Sequence, residues 1–588
     1  MFVAFMPTHT AIPWAFGEDL EPQNLTKKGG NAMPVQLSTL SAILMLILPW
    51  PLLLPILLGA NWANRHSRLI KKLTIGSAWF ALGDGIVITA ISLTGQQDSK
   101  TFFELPLPWH LAQFALNEDV NSLSVVMMLL VALVGLIVSR YALTYMEGDP
   151  HEGSFHYWLS ITLGSFLTVI TAGNVWEFFV FWVATSLFLH HLLAFYPERP
   201  LALLAARKKY ILHRIADLSL FIALLLVVHT LHTADFNHIM VSIASIKGGL
   251  PNTLQFAAAL VLLSAVLKSA QVPLHGWLIQ VMEAPTPVSA LLHAGIIYTG
   301  TFLLMRMVPL MSRVPWTGDL LIVIGLISIA TASLMMMTST NIKGSLAYST
   351  SAQMGFMLME LGLGLYALAL LHIVSHSVYK AHAFLSSGSI VEYFRWPVMP
   401  AGPSSAPLGK ITLSLVLGAI TVMVTGWLLK VPLLGDLPIT VMGIILAVAL
   451  SHLISSAISQ VKSSTLPFLW ISIGISALVA TLYFLLGSWF MALFAPVLPE
   501  PLSPTGVVQD ALLGLIVMVF VALLLIQQML PRLLKQPVWH AIFVHLYNDL
   551  YVDMIFSRWI QKFSPPYKDV SAPQNHESEP SLREVTSL

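Results

Sequence analysis

Ionisable side chains interrupt the apolar runs of this sequence at spacings that suit proton transfer. Lys268 lies in Val-Leu-Lys-Ser-Ala-Gln-Val-Pro, where Pro273 is expected to break a helix at mid-membrane depth because proline has no backbone N–H. A lysine beside a broken helix is one way to build an ion site at the bilayer midplane. Glu283 and His293 follow within 25 residues. We interpret these ionisable residues as parts of an ion path. The alternatives are a snorkelling lysine and a hydrogen-bonded packing histidine.

A second group consists of His372, His376 and Lys380, which follow one another at intervals of four residues. On a helix they form one stripe about 12 Å long. Because imidazoles titrate near neutrality, such a stripe can pass protons through bound water. Two alternatives stay open. The histidine spacing also suits metal ligands, but no HExxH-type glutamate and no third ligand accompany it, so no metal site is expected. The stripe can also serve structural hydrogen bonding alone.

Four further charged residues lie in or near apolar runs. Lys343, at the mouth of one run, would join the two groups; its alternative is an interfacial anchor. Lys430 is followed two residues later by proline, which repeats the lysine–proline pattern of the first group, but it can equally be a loop lysine. Arg214 and Asp217 are three residues apart on one helix face, so we expect a structural ion pair between them.

Apolar runs of about 20 residues, the length that crosses a hydrocarbon core of about 30 Å, must position these side chains. The chain has 588 residues, 56% hydrophobic and only 10% charged, against roughly 25% charged in soluble domains. About fifteen runs appear, at 38–60, 73–95, 121–145, 155–173, 174–196, 210–231, 253–272, 286–308, 318–338, 342–363, 366–391, 408–429, 437–459, 467–490 and 507–530. The sequence therefore predicts an all-α polytopic membrane protein with about fifteen transmembrane helices, whose first partner is the lipid bilayer.

Charge and cysteine content exclude several classes of function. The 29 Lys and Arg residues and 28 Asp and Glu residues leave a net charge of +1, too little and too scattered for nucleic-acid binding. The chain has no cysteine, which excludes disulfides, cysteine-ligated zinc and iron–sulfur clusters. We therefore expect no cofactor in this chain.

Charge distribution also predicts the orientation in the membrane. Two loops rich in Lys and Arg, at 65–72 and 199–209, lie an even number of crossings apart, and cytoplasmic loops carry an excess of these residues. The acidic loop 96–120 suits the outer side. This places the N-terminus outside and the C-terminus in the cytoplasm.

The composition along the chain predicts six regions. They are a poorly ordered N-terminal extension (1–32), N-terminal transmembrane helices (33–115), a core (116–460), C-terminal transmembrane helices (461–530), an amphipathic interfacial segment (531–563) and a disordered tail (564–588).

Three long motifs carry a family resemblance. They are KSAQVPLH (268–275), EAPTPVSALLHA (283–294) and KGSLAYSTSAQMG (343–355). From about residue 117 to 430 the chain resembles the proton-translocating antiporter-like family, which includes subunit L of respiratory complex I and the large subunit of Mrp antiporters. The resemblance implies two inverted five-helix repeats containing broken helices. It also implies a central polar axis made of Lys268, His293, Lys343, His372, His376 and Lys380, with Lys430 a less secure match.

Two departures from this family stand out. Where the family has Trp-Glu-Gly, with the glutamate paired to the lysine of the first repeat, this chain has Trp-Val-Ala at 182–184. Lys268 is therefore expected to lack its usual partner, and Glu177, about 240° away around the helix, cannot replace it. The second departure is that 531–588 holds no span-length apolar run. Instead, 538–560 has apolar residues at helical spacing and is expected to lie in the interface or dock a partner.

A narrower resemblance covers the motifs at 182–191, 206–217, 293–297 and 379–388. They are similar to the DabB family, the membrane subunits of complexes that accumulate inorganic carbon in bacteria. The resemblance implies a DabA-like cytoplasmic partner that holds zinc and hydrates CO2 to bicarbonate. This chain would then sit in the bacterial inner membrane and let protons, or sodium ions, run inward to energise that partner. The alternatives are a subunit of a complex I-like or Mrp-type antiporter, and a non-conducting membrane anchor.

Overall fold

Helices form nearly all of the structure, a computed structural model that describes residues 33–94, 99–106, 112–388, 407–459, 466–495, 497–498 and 506–563. The predicted extension (1–32) and tail (564–588) lie outside the described residues. The division into six regions stays a prediction. The elements of the first half are α1 (Met33–Ile47), α2 (Trp50–Leu53), α3 (Ala60–Arg65), α4 (Ser67–Ser92), β1 (Ser99–Pro106), β2 (Gln113–Asp119), α5 (Ser122–Tyr145), α6 (Glu152–Thr171), α7 (Val175–Leu193), α8 (Pro200–Leu231) and α9 (Phe236–Ser245).

The second half is helical wherever the structure describes regular elements. Its helices are α10 (Asn252–Lys268), α11 (Gly276–Gln280), α12 (Thr286–Ala294), α13 (Thr299–Arg306), α14 (Val308–Met311), α15 (Pro315–Thr338), α16 (Ile342–Gly362), α17 (Tyr366–Leu385), α18 (Leu408–Leu428), α19 (Leu437–Ser459), α20 (Leu466–Phe494), α21 (Val507–Leu533), α22 (Pro537–Tyr547) and α23 (Val552–Phe563). Short 3-10 turns join several of them.

The predicted spans are confirmed as helices. Each of the fifteen runs contains one helix or one broken helix. Among the described residues, eleven helical segments are long and apolar enough to cross a membrane. The other four runs correspond to α6, α10, α16 and α17, of which α10 is apolar but only 17 residues long. The chain is therefore a multi-pass all-α membrane protein, as its composition predicts.

Glycines bring α15 and α16 into backbone contact. A Cβ on Gly325 would lie 2.4 Å from the carbonyl oxygen of Gly355, and a Cβ on Gly355 would lie 2.8 Å from that of Gly325. Small residues let membrane helices approach closely enough for such contact. The contact fixes the position of α16, which carries several of the polar side chains described below.

Two helices are broken near the predicted ion path. The first ends at Lys268, and the chain is unwound before it resumes as α11, so the predicted break at Pro273 is present. A second break, which the sequence analysis did not predict, separates α12 from α13 at Gly295, whose backbone leaves the helical region (φ −141°, ψ −78°). By contrast, α18 is continuous, and Lys430 follows its end in a loop.

A β-hairpin occupies the region that the sequence analysis treated as a loop (96–120). Its strands β1 and β2 are antiparallel, with Lys100 opposite Glu118. The hairpin is joined to the turn between α6 and α7 by a bridge from Glu118 to Ala172. Arg306 ties it to the helices, because its guanidinium lies 2.5 Å from the carboxylate of Asp119 and donates to the carbonyl of Ala172 at 3.1 Å.

The hairpin and the C-terminal helices lie at opposite ends of the bundle. The hairpin contacts the start of α7, and Asn174 there bridges to Asp235 beside α9. The C-terminal helix α23 contacts the first third of α8 through Lys208. Since α8 has 32 residues, it is about 48 Å long and spans the distance between the two ends. We call these ends the hairpin face and the C-terminal face. Which of them faces the cytoplasm stays a prediction.

Candidate functional site

Lys268 has an acidic partner, contrary to the expectation from the family pattern. Its Nζ lies 3.0 Å from Oδ1 of Asp217 and 3.8 Å from the centre of the Trp182 ring. The indole N–H of Trp182 donates to the same carboxylate at 2.9 Å, and Arg214 lies 2.6 Å from its other oxygen. The prediction of an unpartnered lysine was wrong. The carboxylate belongs to the neighbouring helix α8. In the antiporter-like family, the partner carboxylate lies at the position on α7 that Val183 occupies in this chain.

The predicted pair of Arg214 and Asp217 is formed, but its interpretation as a structural pair was too narrow. Asp217 is 5% exposed and forms ion pairs with both Arg214 and Lys268, so its one negative charge serves two cations of the cluster. The signal that could have found it was already in the sequence, because an aspartate in the middle of a span is itself a candidate functional residue.

A second buried lysine, Lys209, was also missed. It is fully buried and donates to the backbone carbonyl of Ser186 at 2.5 Å and to its hydroxyl at 3.1 Å. The Ser186 hydroxyl also lies 3.0 Å from Nδ1 of His213 and accepts from Arg214 at 3.2 Å. This serine therefore connects Lys209 to the cluster around Asp217.

The second group gathers around His293 and His376. Nδ1 of His293 lies 3.0 Å from the Thr350 hydroxyl, which itself donates to the carbonyl of Leu346 at 3.0 Å, so the histidine nitrogen is the donor. The Tyr298 hydroxyl lies 3.1 Å from the carbonyl oxygen of His293 and 2.7 Å from Nδ1 of His376. Tyr298 and Thr350, which the sequence analysis did not single out, thus place both histidines in one hydrogen-bonded network.

The remaining members of the α17 stripe have different surroundings. Lys380 is fully buried and donates to the carbonyl of Leu346 at 2.8 Å. Within the described residues it forms no ion pair. His372 lies 3.0 Å from the carboxylate of Glu360 through Nδ1 and 2.8 Å from Gln353 through Nε2. Both of its ring nitrogens are engaged, which favours hydrogen bonding or proton relay over the metal-ligand alternative.

His372 also opens onto a cavity. The cavity has a volume of about 590 Å³, and its lining includes Glu360, Gln353, His452 and Tyr483. His452 belongs to α19 and is exposed. The end of the stripe at His372 is therefore the end with space for water or an ion.

The two groups are joined through α16 rather than directly. Among the described residues, no side-chain hydrogen bond or ion pair connects the cluster around Asp217, which contains Lys268, with the second group around His293. Instead, Ser351 of α16 donates at 2.9 Å to the carbonyl of Ala270, in the unwound segment after Lys268. Thr350, its neighbour in the chain, contacts His293. The unwound backbone and two hydroxyls thus bridge the groups, as broken helices do in transporters.

Three predicted residues lie away from these clusters. Lys343 is half-buried at the start of α16 and donates to the hydroxyl of Thr286 at 3.0 Å. Lys430 is exposed, as its loop alternative implies. Glu283 is half-buried, and its backbone carbonyl accepts from Arg199 at 2.8 Å. Their roles in ion translocation stay predictions.

A buried glutamate lies on the hairpin face, outside the spans. Glu118 of β2 is 1% exposed, and burial raises its pKa to about 7. Glu177, at the start of α7, accepts the backbone N–H of Asn117 at 3.2 Å. Glu177 therefore lies near the hairpin, in line with the helical spacing that separates it from Val183.

The raised pKa of Glu118 predicts a pH dependence of stability. The folded protein holds the proton up to about pH 7, whereas the unfolded chain releases it near 4.5. The contribution is therefore complete below about pH 4.5 and is lost as the pH rises to 7, at a cost of up to about 3 kcal/mol. We expect the melting temperature of the detergent-solubilised protein to fall between pH 5 and 8.

The same melting curves test the assignment to Glu118. Glu118→Gln should flatten the fall, whereas Glu104→Gln, on the exposed part of β1, should leave it unchanged. An unaltered pH dependence in Glu118→Gln would show that another group causes it.

Profiles of two families match the chain. Residues 172–396 match the NADH:quinone oxidoreductase/Mrp antiporter transmembrane family. Residues 112–156 match the N-terminus of chain 5 of NADH-ubiquinone oxidoreductase (complex I). The first match contains both clusters described above.

Relatives with similar sequences fall into two groups. The probable inorganic carbon transporter subunit DabB2 of Halothiobacillus neapolitanus is 35% identical over 533 residues, which cover 90% of this chain and 95% of the relative. The probable subunit DabB of Hydrogenovibrio crunogenus is 47% identical over 274 residues, 46% of this chain and 53% of the relative. The chloroplast NAD(P)H-quinone oxidoreductase subunit 5 of Ranunculus macranthus is 32% identical over 314 residues, 52% of this chain and 42% of the relative.

Solved structures share the fold. The Mrp complex from Dietzia sp. DQ12-45-1b has a chain that aligns with a TM-score of 0.56 at 20% identity, covering 90% of this chain and 59% of that one. At this level of identity the similarity concerns the fold alone.

Proposed function

Because the chain belongs to the DabB family, within the NADH:quinone oxidoreductase/Mrp antiporter group, we propose that it conducts a cation across the membrane. The cation is a proton, with sodium as the alternative. Conduction energises the uptake of inorganic carbon, the process named in its bacterial relatives.

The line of buried polar groups from Asp217 to His372 is the observation that carries this proposal. Charged side chains inside a membrane are expensive, by about 2.5 to 3.5 kcal/mol each on insertion scales. A chain that only anchored a soluble enzyme would have no use for fully buried lysines such as Lys209 and Lys380. Their presence beside histidines, hydroxyls and an unwound backbone suits a path along which a charge moves.

The division of labour with a partner follows from the chemistry. Fast hydration of CO2 to bicarbonate is catalysed by a zinc-bound hydroxide in carbonic anhydrase, and this cysteine-free chain is not expected to hold such a zinc. We assign the zinc to a cytoplasmic DabA-like subunit. The chain lies in the bacterial inner membrane with its N-terminus outside and its C-terminal face in the cytoplasm.

The energy available from one charge is sufficient for accumulation. A charge that falls through about 150 mV releases about 3.5 kcal/mol. At about 1.4 kcal/mol per tenfold ratio, this supports a gradient of a few hundredfold. Bicarbonate is charged and stays inside, so the ion gradient need only enforce the direction of hydration.

A growth assay tests the proposed function. The chain and its partner are expressed in a bacterium that lacks carbonic anhydrase and cannot grow in air. We expect growth to be rescued, and the rescue to be lost with an uncoupler and with Lys268→Ala. The matched control is Lys247→Ala, which removes an exposed lysine from the loop after α9 and should retain full rescue.

Two results would overturn the proposal. Rescue that survives both the uncoupler and Lys268→Ala would indicate a non-conducting anchor. Failure of the wild-type pair to rescue growth, together with co-purification of quinone-reductase or Mrp subunits, would indicate a respiratory or antiporter subunit.

A further inference from the structure

The C-terminal helix α23 is attached to the transmembrane core by a buried ion pair. Nζ of Lys208, on α8, lies 2.7 and 2.8 Å from the two carboxylate oxygens of Asp553 and is fully buried. Gln280, at the end of α11, completes the cluster: its Oε1 accepts from Lys208 at 3.0 Å and its Nε2 donates to Asp553 at 2.7 Å. Asp553 therefore contacts the core directly, although it comes from the segment after the last span.

The backbone of α11 leaves room for this carboxylate. A Cβ added to Gly276 would lie 1.7 Å from Oδ1 of Asp553. Any side chain larger than glycine would therefore push the carboxylate away from Lys208. The position of the Asp553 carboxylate therefore depends on the absence of a side chain at Gly276 and on the charge of Lys208.

A second aspartate enters the core one turn earlier. Asp549 accepts a hydrogen bond from the hydroxyl of Tyr348 on α16. The turn between α22 and α23 makes this possible, because Asp549, Leu550 and Tyr551 all have left-handed backbone conformations, which L-residues adopt rarely. Burial raises the pKa of Asp549, which also senses the charges of His275, Asp553 and Lys208.

A buried histidine faces these groups. His275, in the unwound segment before α11, is fully buried, and its ring lies 6.2 Å from that of Tyr348. Neither of its ring nitrogens has a side-chain partner among the described residues. Buried polar groups are almost always hydrogen-bonded, so a ring nitrogen without a side-chain partner marks a place for an exchangeable proton or a water molecule.

Polar side chains along α8 continue from the surroundings of His275 to the cluster around Asp217. Lys208 and Asp217 are nine residues apart, about 13 Å along the helix axis. Lys209 and His213 lie between them, and both contact Ser186. Polar groups therefore extend from Lys268, at the break of α10, to the C-terminal face.

We infer that Asp553 and Asp549 of the C-terminal segment, with Lys208 and His275 of the core, form a proton-exchange site at the end of the ion path on the C-terminal face. This inference rests on the proposed function. A proton that binds to Asp553 neutralises its carboxylate and frees Lys208 from its counter-charge, and loss of the proton restores the pair. No other bond changes. The C-terminal segment is thus part of the conducting machinery as well as a surface for a partner.

Ion flux through the reconstituted complex separates this role from simple attachment. The full chain is purified with its partner, placed in liposomes and given a membrane potential, and proton entry is followed with a pH-sensitive dye. The test variant is the double substitution Lys208→Gln with Asp553→Asn. It removes both charges of a buried pair together, which avoids the penalty of leaving one charge unpaired.

We expect the double variant to assemble and melt like the wild type but to lose about a hundredfold in flux, as when a proton-transfer group is removed. The matched control, Arg558→Gln, alters an exposed charge on the same helix and should keep full flux. Wild-type flux in the double variant would overturn the inference and leave an attachment role alone.

Two further measurements keep the test decisive. If the double variant fails to assemble, Gly276→Ala replaces it, because this substitution displaces the Asp553 carboxylate while keeping both charges. Loss of flux in Gly276→Ala would support the inference, and wild-type flux would overturn it. Wild-type protein and Lys268→Ala are measured in the same liposomes. Flux that is absent from the wild type would contradict the proposed function itself. Flux that depends on Lys268 but not on Asp553 would contradict only the role of the C-terminal segment.

Discussion

Asp217→Asn is expected to lower ion flux by about a hundredfold or more, the effect of removing a positioned proton-transfer group. Asparagine has nearly the same shape, but it can neither hold a proton nor balance a charge. It therefore leaves Lys268 and Arg214 without the carboxylate that lies 3.0 and 2.6 Å from them. The flux assay in liposomes and the growth assay in air both measure this effect.

A second substitution separates a functional loss from a folding defect. Removing one partner of a buried pair costs about 3 to 5 kcal/mol, so Asp217→Asn alone can also destabilise the protein. Val183→Glu in the Asp217→Asn background should restore both stability and flux. It places a carboxylate where the antiporter-like family has one, next to Trp182, whose carbonyl lies 3.5 Å from Nζ of Lys268. A double variant that folds but does not conduct would show that the position on α8 is itself required.

The pairing of Lys268 also shows what the sequence could and could not predict. The fifteen spans follow from local hydrophobicity, and the break after Lys268 follows from one proline, so both were predictable. Which helix packs against α10 depends on the tertiary structure and could not be predicted. The helix is α8, and its Asp217 faces Lys268. The family pattern pointed to the position of Val183, where the family has its glutamate. It could not show that Asp217 replaces that glutamate from another helix.

Residues that act through hydroxyl groups were the hardest to predict. Tyr298 and Thr350 orient the two histidines of the second group, yet hydroxyl residues are frequent in membrane helices and carry no charge that would single them out. The break at Gly295 was missed for a similar reason, since an isolated glycine in a helical pattern is a weak signal. By contrast, the α17 stripe was predictable because its spacing of four residues is a property of any helix.

The C-terminal segment was predicted only in part. Its helical spacing is confirmed by α22 and α23, but the sequence analysis did not single out Asp549 and Asp553. The structure turns both of them toward the core, where they contact Tyr348 and Lys208. The left-handed turn that does so contains no glycine, and Asp549 is the one residue among its three of a type enriched in this conformation, so the local indication of the turn is weak.

Lys380→Met should lower flux by about a hundredfold or more, while leaving the protein at least as stable. Lys380 is fully buried and donates one hydrogen bond, to the carbonyl of Leu346 at 2.8 Å, without an ion pair among the described residues. A buried ammonium without a counter-charge is costly, and methionine fills a similar volume without charge. The melting temperature should therefore stay level or rise.

The melting temperature and the ion flux of Lys380→Met together distinguish a lysine that takes part in conduction from one that only stabilises the fold. If Lys380 only holds α17 against α16, Lys380→Met lowers the melting temperature and flux falls in proportion to the folded fraction. If Lys380 carries the charge, folded protein accumulates in the membrane and does not conduct. The matched control, Lys247→Met, removes an exposed lysine and should change neither quantity. Full flux in a stable Lys380→Met variant would remove α17 from the path and leave the Asp217 cluster as the place where the charge crosses.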